Sequence, residues 1–186
     1  MRTTDLSGQL LVATPEIDEG VFFRSVILVL HHNDEGAQGI ILNRPLDAEI
    51  DAILPGWGRL AAGAPVVYHG GPVQFDTALG VVAMPARSGD GEGLRRLFGS
   101  VGLVDLDSDP SAVSALVHGV RIYAGYAGWS AGQLESEIEG GSWFVVPREA
   151  QDVFAPESGA LWHDVLARQA GPLALVATFP KDPSLN

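Results

Sequence analysis

The sequence predicts an α+β fold: a single compact domain over residues 1–186, with a large mixed β-sheet and flanking helices. Short β-type runs bounded by Gly, Pro, Asn or Asp recur along the whole chain. Several, such as Val26-Ile27-Leu28-Val29-Leu30 and Ile40-Ile41-Leu42, are unbroken apolar runs. Central strands read this way when both faces are covered, so helices must supply the cover. The helical patterns fall between the strands without strict alternation, which favours a mixed sheet over a doubly wound parallel one.

In chain order, residues 9–13, 25–30 and 39–42 read as the first strands. Leu46, Ile50, Ile53 and Leu54 then repeat at helical spacing until Pro55-Gly56 stops the pattern. Residues 66–69 and 78–84 are strands, followed at 86–93 by a glycine-rich flexible surface loop containing Asp90 and Glu92. After a strand at 101–104, Asp109-Pro110 has the form of an N-cap with proline at the first helical position. Val113, Leu116 and Val117 give that helix its apolar stripe. Residues 120–126 form a strand, and Ser130 to Gln133 is a capping box opening a helix through Leu134 and Ile138. Residues 143–146 are a strand, 158–169 a helix burying Leu161, Trp162, Val165 and Leu166, and 173–178 a final strand.

Composition narrows the function. The 186 residues are 46% apolar and 18% charged, inside the globular range. The absence of Cys excludes disulfides, thiolate metal sites and cysteine nucleophiles. Eleven basic residues against 23 acidic ones give a net charge of −12, so the mean field repels nucleic acids and anionic membranes. The single lysine is Lys181, and no basic run exceeds Arg95-Arg96. Direct nucleic-acid binding is therefore not expected. Residues 1–20 carry Asp5, Glu16, Asp18 and Glu19 without an apolar core, and no apolar stretch approaches the ~20 residues a bilayer requires. The expectation is a cytoplasmic protein without a membrane partner.

Gly128-Trp129-Ser130-Ala131-Gly132 is a literal G-x-S-x-G between a strand and a helix, the setting of a nucleophile elbow. Asp152, His163 and Asp164 follow, so a serine hydrolase using Ser130, His163 and either Asp152 or Asp164 is one reading. The other makes Ser130 a helix cap, a role that needs no histidine. Asp105, Asp107 and Asp109 resemble the start of a calcium loop, but Pro110 stands where the turn needs Gly and Leu116 where a bidentate Glu belongs. His31 and His32 are adjacent, so on a strand they point to opposite faces and cannot share an ion. No metal and no cofactor are expected. Asn43-Arg44-Pro45 and Gly70-Gly71-Pro72 end two strands, and either turn formation or a site at the sheet end accounts for them.

Further motifs are Gly8-Gln9-Leu10-Leu11-Val12-Ala13, Phe23-Arg24-Ser25-Val26-Ile27, Gly70-Gly71-Pro72-Val73 and Tyr126-Ala127-Gly128-Trp129-Ser130-Ala131-Gly132-Gln133-Leu134-Glu135. With Asn43-Arg44-Pro45 and the terminal Asp182-Pro183-Ser184-Leu185-Asn186, the set resembles the YqgE/AlgH family of bacterial proteins from end to end. The resemblance implies a compact fold with a large mixed sheet, and a label as transcriptional regulator. In the family's pattern the position of Ser130 also accommodates residues without a nucleophile, which weighs against the hydrolase. The signature falls on Asn43, Arg44, Gly70, Gly71, Gly128, Trp129, Gln133 and Glu137. Two roles remain for them. Either they converge on a ligand pocket, with Arg44 and Gln133 as orienting donors and Trp129 as an apolar wall, or they fix turns. The expected function is a non-enzymatic binding or regulatory protein acting through a protein or small-molecule contact, with the hydrolase as alternative and direct transcriptional regulation third.

Overall fold

A strand of alternating polarity buries one face; the strands at the centre of this sheet bury both. In the computed structural model, which describes residues 4–91 and 93–182, β1 (Leu10–Ala13) is buried at every position. Its side chains alternate between two cores. Leu10 and Val12 join one with Val26, Leu28, Ile40 and Leu42, whereas Leu11 and Ala13 join the other with Ile27, Val29 and Ile41. Each Val, Leu or Ile among them contributes roughly 1.5–3 kcal/mol on burial, which is why these strands read as unbroken apolar runs.

Ten strands follow the order β10-β1-β2-β3-β9-β6-β8-β7, with a β4-β5 hairpin attached through β5 to β9. They are β1, β2 (Val26–Asn33), β3 (Gly36–Ile41), β4 (Pro45–Glu49), β5 (Val66–His69), β6 (Val73–Ala83), β7 (Leu94–Phe98), β8 (Val101–Val104), β9 (Gly119–Ser130) and β10 (Trp143–Val146). All pairs are antiparallel except β5 with β9, so the sheet is mixed and the fold α+β. Strand β9 is the hinge of the topology. Its first half pairs with β6 and, through Tyr123 and Ala124, with β5; its last residues, from Ala127 to Ser130, pair with β3.

The helices are short: α1 (Ile50–Ile53), α2 (Pro110–Ser114), α3 (Gln133–Glu139), α4 (Leu161–Ala167) and α5 (Pro172–Val176). Helix α4 covers the first core with Leu161, Trp162, Val165 and Leu166; α3 and the segment 14–24 cover the second. A third core lies around Ile50, Trp57, Val82, Met84, Val113 and Ile122. Among the described residues no helix is long and apolar enough to cross a membrane.

Three expectations change. Residues 173–178 are not a strand, because Gly171 and Pro172 start a helix: proline has no N–H for a ladder and suits a first helical turn. Leu173 and Val176 then face the core while Leu175 stays 70% exposed, an i, i+3 pattern. The helical spacing from Leu46 to Leu54 yields only α1, since Pro45 to Glu49 is extended and pairs with β5. Residues 128–130, read as the entry to a helix, are the end of β9. Strand β7 had no distinct signal, whereas Asp109 caps α2 as expected, accepting from the Ser111 N–H at 2.8 Å. Glu92 of the glycine-rich loop and residues 183–186 of the terminal motif lie outside the described residues.

Candidate functional site

The corner between β9 and α3 is built by one carboxylate. Gly132, at φ 73, turns the chain, and α3 then carries Gln133 and Glu137 one turn apart on one face. Glu137 Oε2 accepts from the indole Nε1 of Trp129 and of Trp143, both at 2.8 Å, and its Oε1 accepts from Gln133 Nε2 at 2.9 Å. Trp129 and Trp143, only 7% and 5% exposed, meet edge to face at 6.2 Å, and Phe22 stands edge-on to Trp143 at 5.8 Å. With Gly128, Pro72 and Val73 they line a cleft of about 390 Å³.

Ser130 does not cap the helix. The N-cap is Gly132, with no side-chain cap, and only one half of a capping box forms: Gln133 Oε1 accepts from the Ser130 N–H at 3.0 Å, while the Ser130 hydroxyl donates to the same oxygen at 3.2 Å and accepts from no helix N–H among the described residues. Of the four residues read as a hydrolytic set only His163 and Asp164 meet, while Ser130 and Asp152 bond elsewhere. His163 is exposed on α4 and bonds Asp164 at 3.1 Å. Asp152, 1% exposed, is gripped by both terminal nitrogens of Arg168 at 2.6 Å and by the Glu149 N–H. A base needs a hydrogen bond or one intervening water to reach its nucleophile, and Ser130 lies at the α3 corner while His163 lines a different cleft. Ser130→Ala is expected to change stability by less than about 0.5 kcal/mol in urea titration, as for an exposed surface residue. A fluorophosphonate should leave the intact mass of the wild-type protein unchanged.

That second cleft, about 430 Å³, takes its walls from Asn43, Arg44, Phe23, Arg24, Trp162 and His163. Asn43 is buried and spends its whole amide on the chain opposite: Oδ1 accepts from the Val26 N–H at 3.0 Å and Nδ2 donates to the Arg24 carbonyl at 2.9 Å. Arg44 donates to the carbonyls of Phe23 and Asn43. Arg24 lies with its guanidinium 4.3 Å over the Trp162 ring and donates to the Phe179 carbonyl. Burial lowers the pKa of both guanidiniums. Burial and then the Arg44 charge also lower that of His69, whose Nδ1 is buried without a partner.

The structure thus divides the eight signature positions. Gly128, Trp129, Gln133 and Glu137 line the first cleft, Asn43 and Arg44 the second, and Gly20 of the segment between lines both. Gly70 and Gly71 serve a close backbone approach: a Cβ on Gly70 would sit 2.3 Å from the Gly125 carbonyl oxygen, and one on Gly71 2.1 Å from the Tyr126 carbonyl carbon. Sequence reasoning missed Arg24, Phe22 and Trp143 as site residues. Trp143 had a weak signal as an aromatic at a strand start, and Arg24 had only its place in the Phe23-Arg24-Ser25 motif, since its placement depends on a positive φ of 50°. Among the described residues no group of three or more His, Asp or Glu side chains is arranged to hold a metal ion.

A family model described as AlgH-like matches residues 10–174. A UPF0301 protein of Streptomyces avermitilis is 48% identical over 186 residues, spanning 98% of this chain and 96% of that protein. One from Rhodococcus jostii is 46% identical over 181 residues, spanning 96% and 90%. The crystal structure of a Corynebacterium diphtheriae protein superposes with a TM-score of 0.88 at 36% identity, covering 96% of this chain and 95% of that one. The solution structure of the AlgH protein from Pseudomonas aeruginosa gives a TM-score of 0.66 at 26% identity, covering 97% of each chain.

Proposed function

The chain belongs to the AlgH-like family, and we propose that this member is a non-catalytic binding protein that recognises a small molecule or a protruding group of a partner protein in the clefts beside segment 14–24. One observation supports this reading above others: residues from β9, α3 and the end of β3, far apart in sequence, line two clefts divided by a single segment whose Gly20 belongs to both. Apolar walls with a few fixed polar groups are the usual composition of a ligand site. Here Trp129 and Trp143 are the walls, and Gln133 and Glu137 are the fixed polar groups. A regulatory output would follow from occupancy, because a net charge of −12 disfavours reading DNA directly.

The indole N–H signals of Trp129, Trp143 and Trp162 provide the test, since the first two report one cleft and the third the other. Compounds that raise the melting temperature in a mixed fragment screen are expected to shift at least one of these three resonances in a ¹H–¹⁵N spectrum. Hits that bind while leaving all three in place would sink the reading. In the same experiment Glu137→Ala is expected to cost about 2–4 kcal/mol, because two nearly buried indole donors lose their shared acceptor. Glu137→Gln, which keeps one acceptor oxygen, should cost less than half of that.

A further inference from the structure

The basic residues of this chain are few, and several are spent on holding it together. Arg96 donates to the carbonyls of Pro85, Ser88 and Gly99, Arg121 to those of Ala62, Val153 and Ala155, and Arg168 binds Asp152. Arg24, Arg44 and Lys181 differ. They come from three separate chain segments and line one cleft together; like Arg96 and Arg121, none of them has a carboxylate within 4.0 Å among the described residues. Arg24 and Lys181 also line an adjoining cleft of about 270 Å³. Asp18, in that adjoining cleft, is the only acid lining either one among the described residues.

The backbone is arranged to present these cations. Asn43 holds the Arg24 carbonyl and the Val26 N–H, and Arg44 holds the Phe23 carbonyl, so consecutive residues at the end of β3 clamp the opposite chain on both sides of Arg24. Arg24 is thereby kept at φ 50, a conformation rare for a residue with a side chain and concentrated at functional positions. A guanidinium has five N–H donors. Arg24 uses one on the Phe179 carbonyl and Arg44 uses two on neighbouring carbonyls, which leaves the remainder for a ligand.

We propose that this cleft binds a phosphate-bearing small molecule, its phosphoryl oxygens held by Arg24, Arg44 and Lys181. The inference names the ligand class for one of the two clefts and rests on the binding reading above. On a molecule of net charge −12 an anion is repelled almost everywhere, so three cations without counter-charges mark where it gains. Three cations call for more anionic oxygens than one carboxylate supplies; a phosphomonoester brings three, with nearly two negative charges. Guanidinium forks match that geometry with paired hydrogen bonds. The lowered pKa of Arg24 and Arg44 reflects partly buried charges that a bound anion would stabilise.

The test titrates the full chain with inorganic pyrophosphate at low salt and without divalent metal, followed by ¹H–¹⁵N spectra and thermal shift. The expected result is a saturable displacement of the Trp162 indole and of amides in segments 20–24 and 43–44, weakened tenfold or more by Arg44→Gln and by Lys181→Gln. Lys181 is exposed, so Lys181→Gln should keep the wild-type melting temperature, and Lys181→Arg should restore binding. Citrate should bind at least tenfold more weakly than pyrophosphate. Equal binding of citrate, or full affinity in Lys181→Gln, overturns the proposal. So does silence toward pyrophosphate when neutral or cationic fragments move the Trp162 signal, an outcome that leaves the binding reading standing. If no compound of any charge moves Trp129, Trp143 or Trp162, both readings fall together.

Discussion

Arg121→Met is expected to lower the free energy of unfolding by about 3–5 kcal/mol, and with it the melting temperature by roughly 10 °C. Arg121 stands in the first half of β9, 2% exposed, with no carboxylate for a partner among the described residues. Its Nε donates to the Ala62 carbonyl at 3.2 Å, and its two terminal nitrogens donate to the carbonyls of Val153 at 3.1 Å and Ala155 at 2.7 Å. The guanidinium also lies 4.7 Å from the centre of the Tyr68 ring. One side chain therefore ties two irregular segments, before β5 and after β10, to the central strand. Methionine fills the same space but donates nothing, and bonds from a charged donor are worth about 1.5–3 kcal/mol each. Against a total stability of about 5–15 kcal/mol this is a large share. Urea titration of the two proteins checks it, and a loss below 1 kcal/mol would mean that water replaces the arginine at little cost. Tyr123, two residues along and fully buried, has its phenol pKa pushed far above the usual range by that burial, so it stays protonated at any pH a test would use.

Gly71→Ala should be more damaging still, with a loss of about 4 kcal/mol or more and a sharp fall in soluble yield. At φ 155 the position already disfavours a side chain, and the added Cβ would meet backbone rather than a movable side chain, 2.1 Å from the carbonyl carbon of Tyr126. Gly125 answers it from β9: at φ 69, its own Cβ would stand 2.4 Å from the Gly71 carbonyl oxygen. These glycines let the chain leaving β5 touch β9 main chain to main chain, and β9 can part from it only by giving up its pairing with β3 or β6. Gly159→Ala is the control, since nothing stands within 4 Å of its Cβ and its φ is not positive. Its melting temperature should stay within about 2 °C of the wild type, consistent with a change near 0.5 kcal/mol.

What the sequence reveals of this fold depends on how local the cause is. Unbroken apolar runs at Val26 and Ile40 correctly imply a sheet covered on both faces, because a side-chain period of two leaves no alternative when neither face is polar. Asp109-Pro110 is legible because cap and proline act within one turn. Leu173 to Thr178 is misread, since a short apolar run suits a strand and a helix equally, and the Gly171-Pro172 start and the packing on α4 together make it a helix. Ser130 and Gln133 have the spacing of a capping box, yet β9 runs on through Ser130 because β3 offers it a ladder partner. The signature residues came from family resemblance. Their division between two clefts is set by the path of segment 14–24, a tertiary fact without a local pattern. Arg24 enters the second cleft only because Asn43, nineteen positions on, holds its carbonyl.

The strand order has a consequence for synthesis. Strand β1 lies between β2, which follows it closely, and β10, with Leu10 opposite Val146 and Ala13 opposite Trp143. A ribosome adding about 5–20 residues per second delivers β10 on the order of ten seconds after β1. Throughout that interval the growing chain carries a wholly apolar strand with one unpaired edge, the kind of surface that recruits neighbouring nascent chains. A slower run of codons between β1 and β10 would lengthen the time over which that edge waits for its native partner.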